Sequence, residues 1–188
     1  AFAGNSWLCR AALRPFGGGR AIDPASFTAV RIASGAVVLT VLFLARDPRP
    51  RASRLAGSWG SALALCAYAL AFSFAYLELS AGVGALILFA AVQLTMFAGG
   101  FLSRQRPTPR DAIGLTLAFG GLAALALPGA TAPSFLAALG MAFAGVAWGL
   151  YSLRGRDERS PPLAVTTGNF VRATPLALAA LVGLAAFA

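Results

Sequence analysis

The chain has 188 residues, 59% hydrophobic and 11% charged, with a mean hydropathy of +0.77, whereas a soluble domain is about one-quarter charged. All fifteen basic residues are Arg, against six acids and no His, for a net charge of +9. Those Arg cluster between long apolar runs instead of forming one basic face, which points to a lipid bilayer as partner and away from nucleic acid.

A hydrocarbon core about 30 Å thick takes about 20 apolar residues of helix to cross. The first run, 1–13, is too short to span. Six runs of adequate length follow, at 27–45, 59–77, 82–102, 112–127, 135–153 and 163–187. None alternates as membrane barrel strands do, and in lipid only helices or closed barrels satisfy every backbone group. The fold class expected is therefore all-α integral membrane, a multi-span helical bundle. No basic segment followed by a cleavage site opens the chain, so a signal peptide is not expected. Cys9 and Cys66 lie in apolar context as small hydrophobes, with no disulfide or metal pattern around them.

The connections set an orientation. Arg46, Arg49, Arg51 and Arg54 follow the second helix, Arg104, Arg106 and Arg110 the fourth, and Arg154, Arg156 and Arg159 the sixth. The other connections hold Arg10, Arg14 and Arg20 with Asp23, then Glu78, then the uncharged 128–133 segment. Ten Arg against three place the first set in the cytoplasm.

One pattern occurs twice. Ala1 to Trp7 reads AFAGNSW and Ala142 to Trp148 reads AFAGVAW, with five of seven positions identical at an offset of 141, and Arg31 meets Arg172 at that same offset. A single ungapped register implies an internal duplication. Five helices separate the copies, an odd number, so the copies run antiparallel. Inverted units of this kind are a construction of secondary transporters, with the substrate site near the midplane between halves.

Several features together resemble the EamA-type members of the drug/metabolite transporter superfamily. They are AFAGxxW opening each half, Phe27 to Arg31 opening the second helix, Tyr76 to Ile87 joining the third to the fourth, Leu88 to Met96, and Gly120-Gly121 before Leu127-Pro128-Gly129. The resemblance covers essentially the whole chain. It implies ten helices in two inverted five-helix repeats, both termini cytoplasmic, and carrier-type movement of small metabolites, often outward. On that reading 1–130 is the first repeat, short of part of its first helix, and 131–188 begins the second with helices six and seven. The chain is then expected to be a fragment lacking three helices and to transport nothing by itself.

Candidate binding residues follow. Arg31 and Arg172 sit a few residues inside apolar helices; they either face a cavity and pair with an anionic substrate group, or snorkel to headgroups and pair structurally. Trp7 and Trp148 either wall a cavity with flat faces that attract cations or pack between helices. Asn5 is polar where its counterpart is Val146, which makes it a ligand or a helix-to-helix bond. Tyr68, Phe72 and Tyr76, spaced by four, share one helical face that lines a cavity or packs on the fourth helix. Gln93 and Thr95 are polar at mid-depth, and Asn169 lies three residues before Arg172 on the same face. Glu78 is either a proton-coupling carboxylate or a solvated helix end, and Ser80 reads as an N-cap. Gly145 and Gly149 have the spacing of close helix approach inside the subunit, with a homodimer as the alternative.

The expected function is a secondary transporter, an exporter of small metabolites across the inner membrane by alternating access. A non-transporting scaffold or channel subunit is the alternative, and a membrane enzyme a more distant one, since the chain has no His and almost no acid at depth. No phosphate-binding Gly-Lys motif occurs, so ATP drive within the chain is not indicated, and no cofactor or metal is expected.

Overall fold

A computed structural model describes residues 2–13, 22–46, 56–103, 108–126, 134–156 and 158–186. Among these residues there are seven helices and no strand: α1 (Phe2–Leu13), α2 (Pro24–Arg46), α3 (Trp59–Ala75), α4 (Ala81–Leu102), α5 (Pro109–Ala126), α6 (Phe135–Arg156) and α7 (Pro162–Ala185). The chain is an all-helical, multi-span bundle. Arg14, Arg20, Arg49, Arg51, Arg54, Arg104, Arg106 and the 128–133 segment lie outside the described residues.

Four helices, α2, α4, α5 and α7, start one to three residues before the expected apolar runs, where first-turn prolines and caps allow, while α3 and α6 start with them. Pro24, Pro109 and Pro162 each occupy a first helical position, where no N–H is needed and a φ near −65° is already right. Asp23 Oδ1 accepts from Ser26 N at 2.9 Å, and the bonds to Ser26 hold its carboxyl below the ordinary aspartate range. Thr108 and Asp111 cap α5 reciprocally: Asp111 N donates to Thr108 Oγ1, and Thr108 N donates to Asp111 Oδ2 at 2.8 Å. Ser80 caps α4, accepting from Val83 N at 3.3 Å.

Among the described residues, only α2, α4, α6 and α7 are long and apolar enough to cross a membrane by length and composition, so there four of the six expected full spans meet that measure. The 17 residues of α3 rise about 26 Å, because the helix tightens into a turn after Ala75, where Leu77 N donates to Phe74 O and Glu78 N to Ala75 O. In α5 the 18 residues include Pro109, Arg110 and Asp111, which leave too few apolar ones.

The bundle is built around α3. α6, α7 and α2 pack on it, α4 packs on α6, α5 lies against α4, and α1 meets α4 and α2. Packing of α4 on α6 depends on small residues: a Cβ on Gly145 would stand 2.6 Å from Leu88 O, and one on Gly149 2.7 Å from Thr95 Cβ. The spacing of four thus joins two helices of one subunit. α2 and α7 run antiparallel, since Gly35 lies against the Phe170 ring while Thr167 Oγ1 reaches back to Leu39 O at 3.4 Å. Away from these contacts Val30, Val37, Val38, Val41 and Leu42 of α2 are exposed. An apolar outer surface is what lipid solvates, so their exposure is the expected arrangement for a bilayer-spanning helix.

Candidate functional site

Five helices converge on a cavity of about 320 Å³, a volume at the small end of ligand pockets. α1 contributes Asn5, α2 Arg31 and Ile32, α3 Leu65, Tyr68 and Ala69, α6 Trp148, and α7 Phe170. Ala69 is the eleventh of the 17 residues of α3, so the cavity lies near mid-height of the bundle.

Arg31 is the residue whose presence there needs a physical account. A charge at the centre of a bilayer costs about 2.5 to 3.5 kcal/mol or more. Its guanidinium does not run out to the headgroups but turns across to α3, where Nη2 donates to Ala69 O at 3.2 Å. Its Cζ stands 5.4 Å from the ring centroid of Phe27, 5.4 Å from Phe72 and 5.9 Å from Tyr68. Three aromatic faces and one carbonyl therefore replace part of its hydration. Among the described residues no carboxylate lies within ion-pair reach of it.

The Ala69 carbonyl collects more than Arg31. Ser73 Oγ donates to it at 2.8 Å and Thr28 Oγ1 at 3.2 Å, and the two hydroxyls are 2.9 Å apart. Thr28 and Ser73 are fully buried. This hydroxyl pair locks α2 to α3 one turn from Arg31, which fixes the helix that carries the cation. No side-chain pattern in the sequence announces a backbone acceptor of this kind.

Aromatic rings form the rest of the wall. Tyr68 meets Trp148 at 4.8 Å between centroids and Phe72 at 5.3 Å, and Trp148 stacks on Tyr151 at 5.3 Å. The Tyr68, Phe72, Tyr76 face thus both lines the cavity and packs; its partner at the Tyr68 end is α6, and α4 meets it at the Tyr76 end, where Gly84 lies against the Tyr76 ring and Tyr76 Oη donates to Ala81 O at 3.5 Å. Asn5 Nδ2 donates to Tyr68 Oη at 3.4 Å.

Of the residues singled out from the sequence, the structure brings Asn5, Arg31, Tyr68 and Trp148 together. Trp7 is 60% exposed, because residues two apart on a helix point to opposite sides and Asn5 takes the inner one. Gln93 is exposed in a second depression near the basic end, beside Arg110, Asp111 and Arg156. Asn169 and Arg172 do share a face, but that face holds the start of α3: Ser58 N donates to Asn169 Oδ1 at 3.0 Å, and Arg172 Nη1 donates to Ala56 O at 2.9 Å. Glu78 is exposed and accepts a hydrogen bond from Ser134 Oγ. Phe170 lines the cavity without having been marked by any polar or periodic signal.

The chain matches the EamA-like transporter family over residues 14–127. It is 52% identical over 185 residues to an uncharacterized protein of Pseudomonas aeruginosa, a match covering 98% of this chain and 61% of that relative. The chain therefore spans less than two-thirds of the relative's length. No solved structure matches it. With a family match over more than half its length and four long apolar helices, this multi-pass membrane protein belongs to the EamA-like transporter family.

Proposed function

We propose that the full-length protein is a secondary carrier that exports small metabolites across the inner membrane by alternating access, with the five-helix cavity as its substrate site. The observation that carries this reading is a part-buried cation held at mid-height in a mostly apolar cavity with, among the described residues, no acid against it. An ionisable side chain inside the membrane is expensive to place there, and in a cavity-lining position it marks a functional site more readily than a scaffold contact.

The relation between α2 and α7 supports two inverted halves. Gly35 faces Phe170 and Leu39 approaches Thr167, and this register carried back one turn sets Ile32 opposite Ala173. Those two positions are 141 apart, the offset of the sequence repeat, and both are fully buried. An axis relating the halves would pass between them, next to Arg31. Alternating access needs such an axis, with one half rocking against the other around a fixed site.

Counterflow in proteoliposomes of the full-length protein tests the proposal. A carrier exchanges labelled for unlabelled substrate with no imposed gradient. A full-length protein that binds a metabolite in this cavity yet never exchanges it would be a scaffold or receptor.

A further inference from the structure

We infer that the cavity selects a small monocarboxylate with a flat apolar body, and that it selects against amines and zwitterions of the same shape. The inference rests on the carrier reading and names the substrate class of its site.

The polar groups of the cavity are unequal in kind. Arg31 offers a guanidinium of five N–H donors, of which Nη2 is engaged by Ala69 O. Tyr68 Oη already accepts from Asn5 Nδ2, so the phenol's own proton is left to donate. Against these donors stand few side-chain acceptors, the amide oxygen of Asn5 and what acceptor capacity Tyr68 Oη keeps. Among the described residues the acids, Asp23, Glu78, Asp111 and Glu158, sit at helix ends or between helices, and none lines the cavity. A carboxylate finds a planar fork matched to its geometry. An ammonium group finds an amide oxygen and ring faces, and it also meets Arg31 as a like charge.

The remainder of the wall fixes the body of the ligand. Leu65, Ile32, Trp148 and Phe170 are apolar over most of their surface, and Trp148 and Phe170 come from helices different from the one that carries Arg31. A ligand anchored on Arg31 therefore lays its other end against two aromatic faces. A second anionic or heavily hydroxylated group would there be desolvated without a partner, at a cost that hydrogen bonds elsewhere do not recover. The small volume, about 320 Å³, excludes long acyl chains.

Three probes of one shape and different charge test this on the full-length protein in detergent: 3-phenylpropionate, phenylalanine and 2-phenylethylamine. Binding is read by quenching of tryptophan emission and by the rise in melting temperature that a ligand of the native state produces. The expected order is the anion tightest, by about tenfold or more over the other two, as one charge-assisted fork against none would give. Arg31→Gln should erase that preference and Arg31→Lys should restore part of it. Because the charge series is read on the unsubstituted protein, it decides the matter even where Arg31→Gln lowers the yield of folded protein. Equal binding of all three probes, preferred binding of the amine or the zwitterion, or no binding of any overturns the inference. Counterflow separates it from the carrier reading. Anion binding without exchange would leave the ligand class standing and remove the carrier, and exchange of an amine would do the reverse.

Discussion

Two arginines 141 residues apart, at the offset of the recurring motif, perform different work. Arg31 crosses to α3 and is held among rings, while Arg172 turns back toward the start of its own helix, bonding Ala56 O and Gly168 O. Helical side chains lean toward the N-terminus, and α7 begins at the basic end of the bundle, so Arg172 is directed to that end. Asn169 works beside it, 2% exposed, accepting from Ser58 N, and Gly57 at φ 90° allows the chain to pass closely beneath it. Asn169→Ala should therefore cost about 1 kcal/mol, the net value of one hydrogen bond. The measurement is a lowered melting temperature in detergent with ligand affinity unchanged. A loss of affinity at unchanged melting temperature would move Asn169 back to the substrate site. The sequence made the types and the shared face of Asn169 and Arg172 legible. It could not supply their partners, because Ala56 O and Ser58 N are backbone groups of a distant segment. Trp7 is the opposite case: its spacing from Asn5 already implied that both could not face inward.

At the scale of elements, apolar run length located every helix to within a few residues, since a bilayer leaves few alternatives to a helix. The ends were less legible, being set by Asp23, by Thr108 with Asp111, and by the first-turn prolines. Neighbours were the least legible of all. Nothing in the spacing of Tyr68, Phe72 and Tyr76 says that α6 meets this face at Tyr68. Gly145 and Gly149 did announce a close approach, and α4 is the helix they admit. A methyl group at Gly145 would stand 2.5 Å from Ala91 Cβ and 2.6 Å from Leu88 O, where a backbone atom cannot swing aside. Gly145→Ala should accordingly destabilise the bundle by about 1 to 3 kcal/mol, the usual cost of overpacking. Thermal unfolding against Val146→Ala checks this, because Val146 is on the exposed side of the same turn. Equal melting temperatures for the two variants would mean that α4 and α6 can separate freely.

For the molecule as a whole, the contacts at the two ends of the bundle differ. At the end away from the arginine-rich connections, Arg10 Nη1 donates to Leu79 O at 2.7 Å, tying α1 to the α3–α4 turn, and Ser134 Oγ donates to Glu78, tying that turn to α6. Tyr76, 0% exposed, fills the space beneath with its ring against Gly84. α1, the α3–α4 turn and the start of α6 are thus fastened at one point, and the proposed carrier, to open at this end, must first part them. Such a fastening biases a two-state equilibrium only by what it contributes in one state and not in the other. Arg10→Ala with Glu78→Ala removes both ties while leaving the ring packing intact, so the expected result is a shift of population, not unfolding. Cys9, buried at 0% one residue before Arg10, reports it. In a Cys66→Ser background, a membrane-impermeant maleimide added on that side should label Cys9 several-fold faster in the double variant than in the parent. Unchanged labelling alongside an unchanged melting temperature would mean that the ties hold nothing closed, and the opening would then have to be sought at the α4–α5 end, around Gln93 and Arg156.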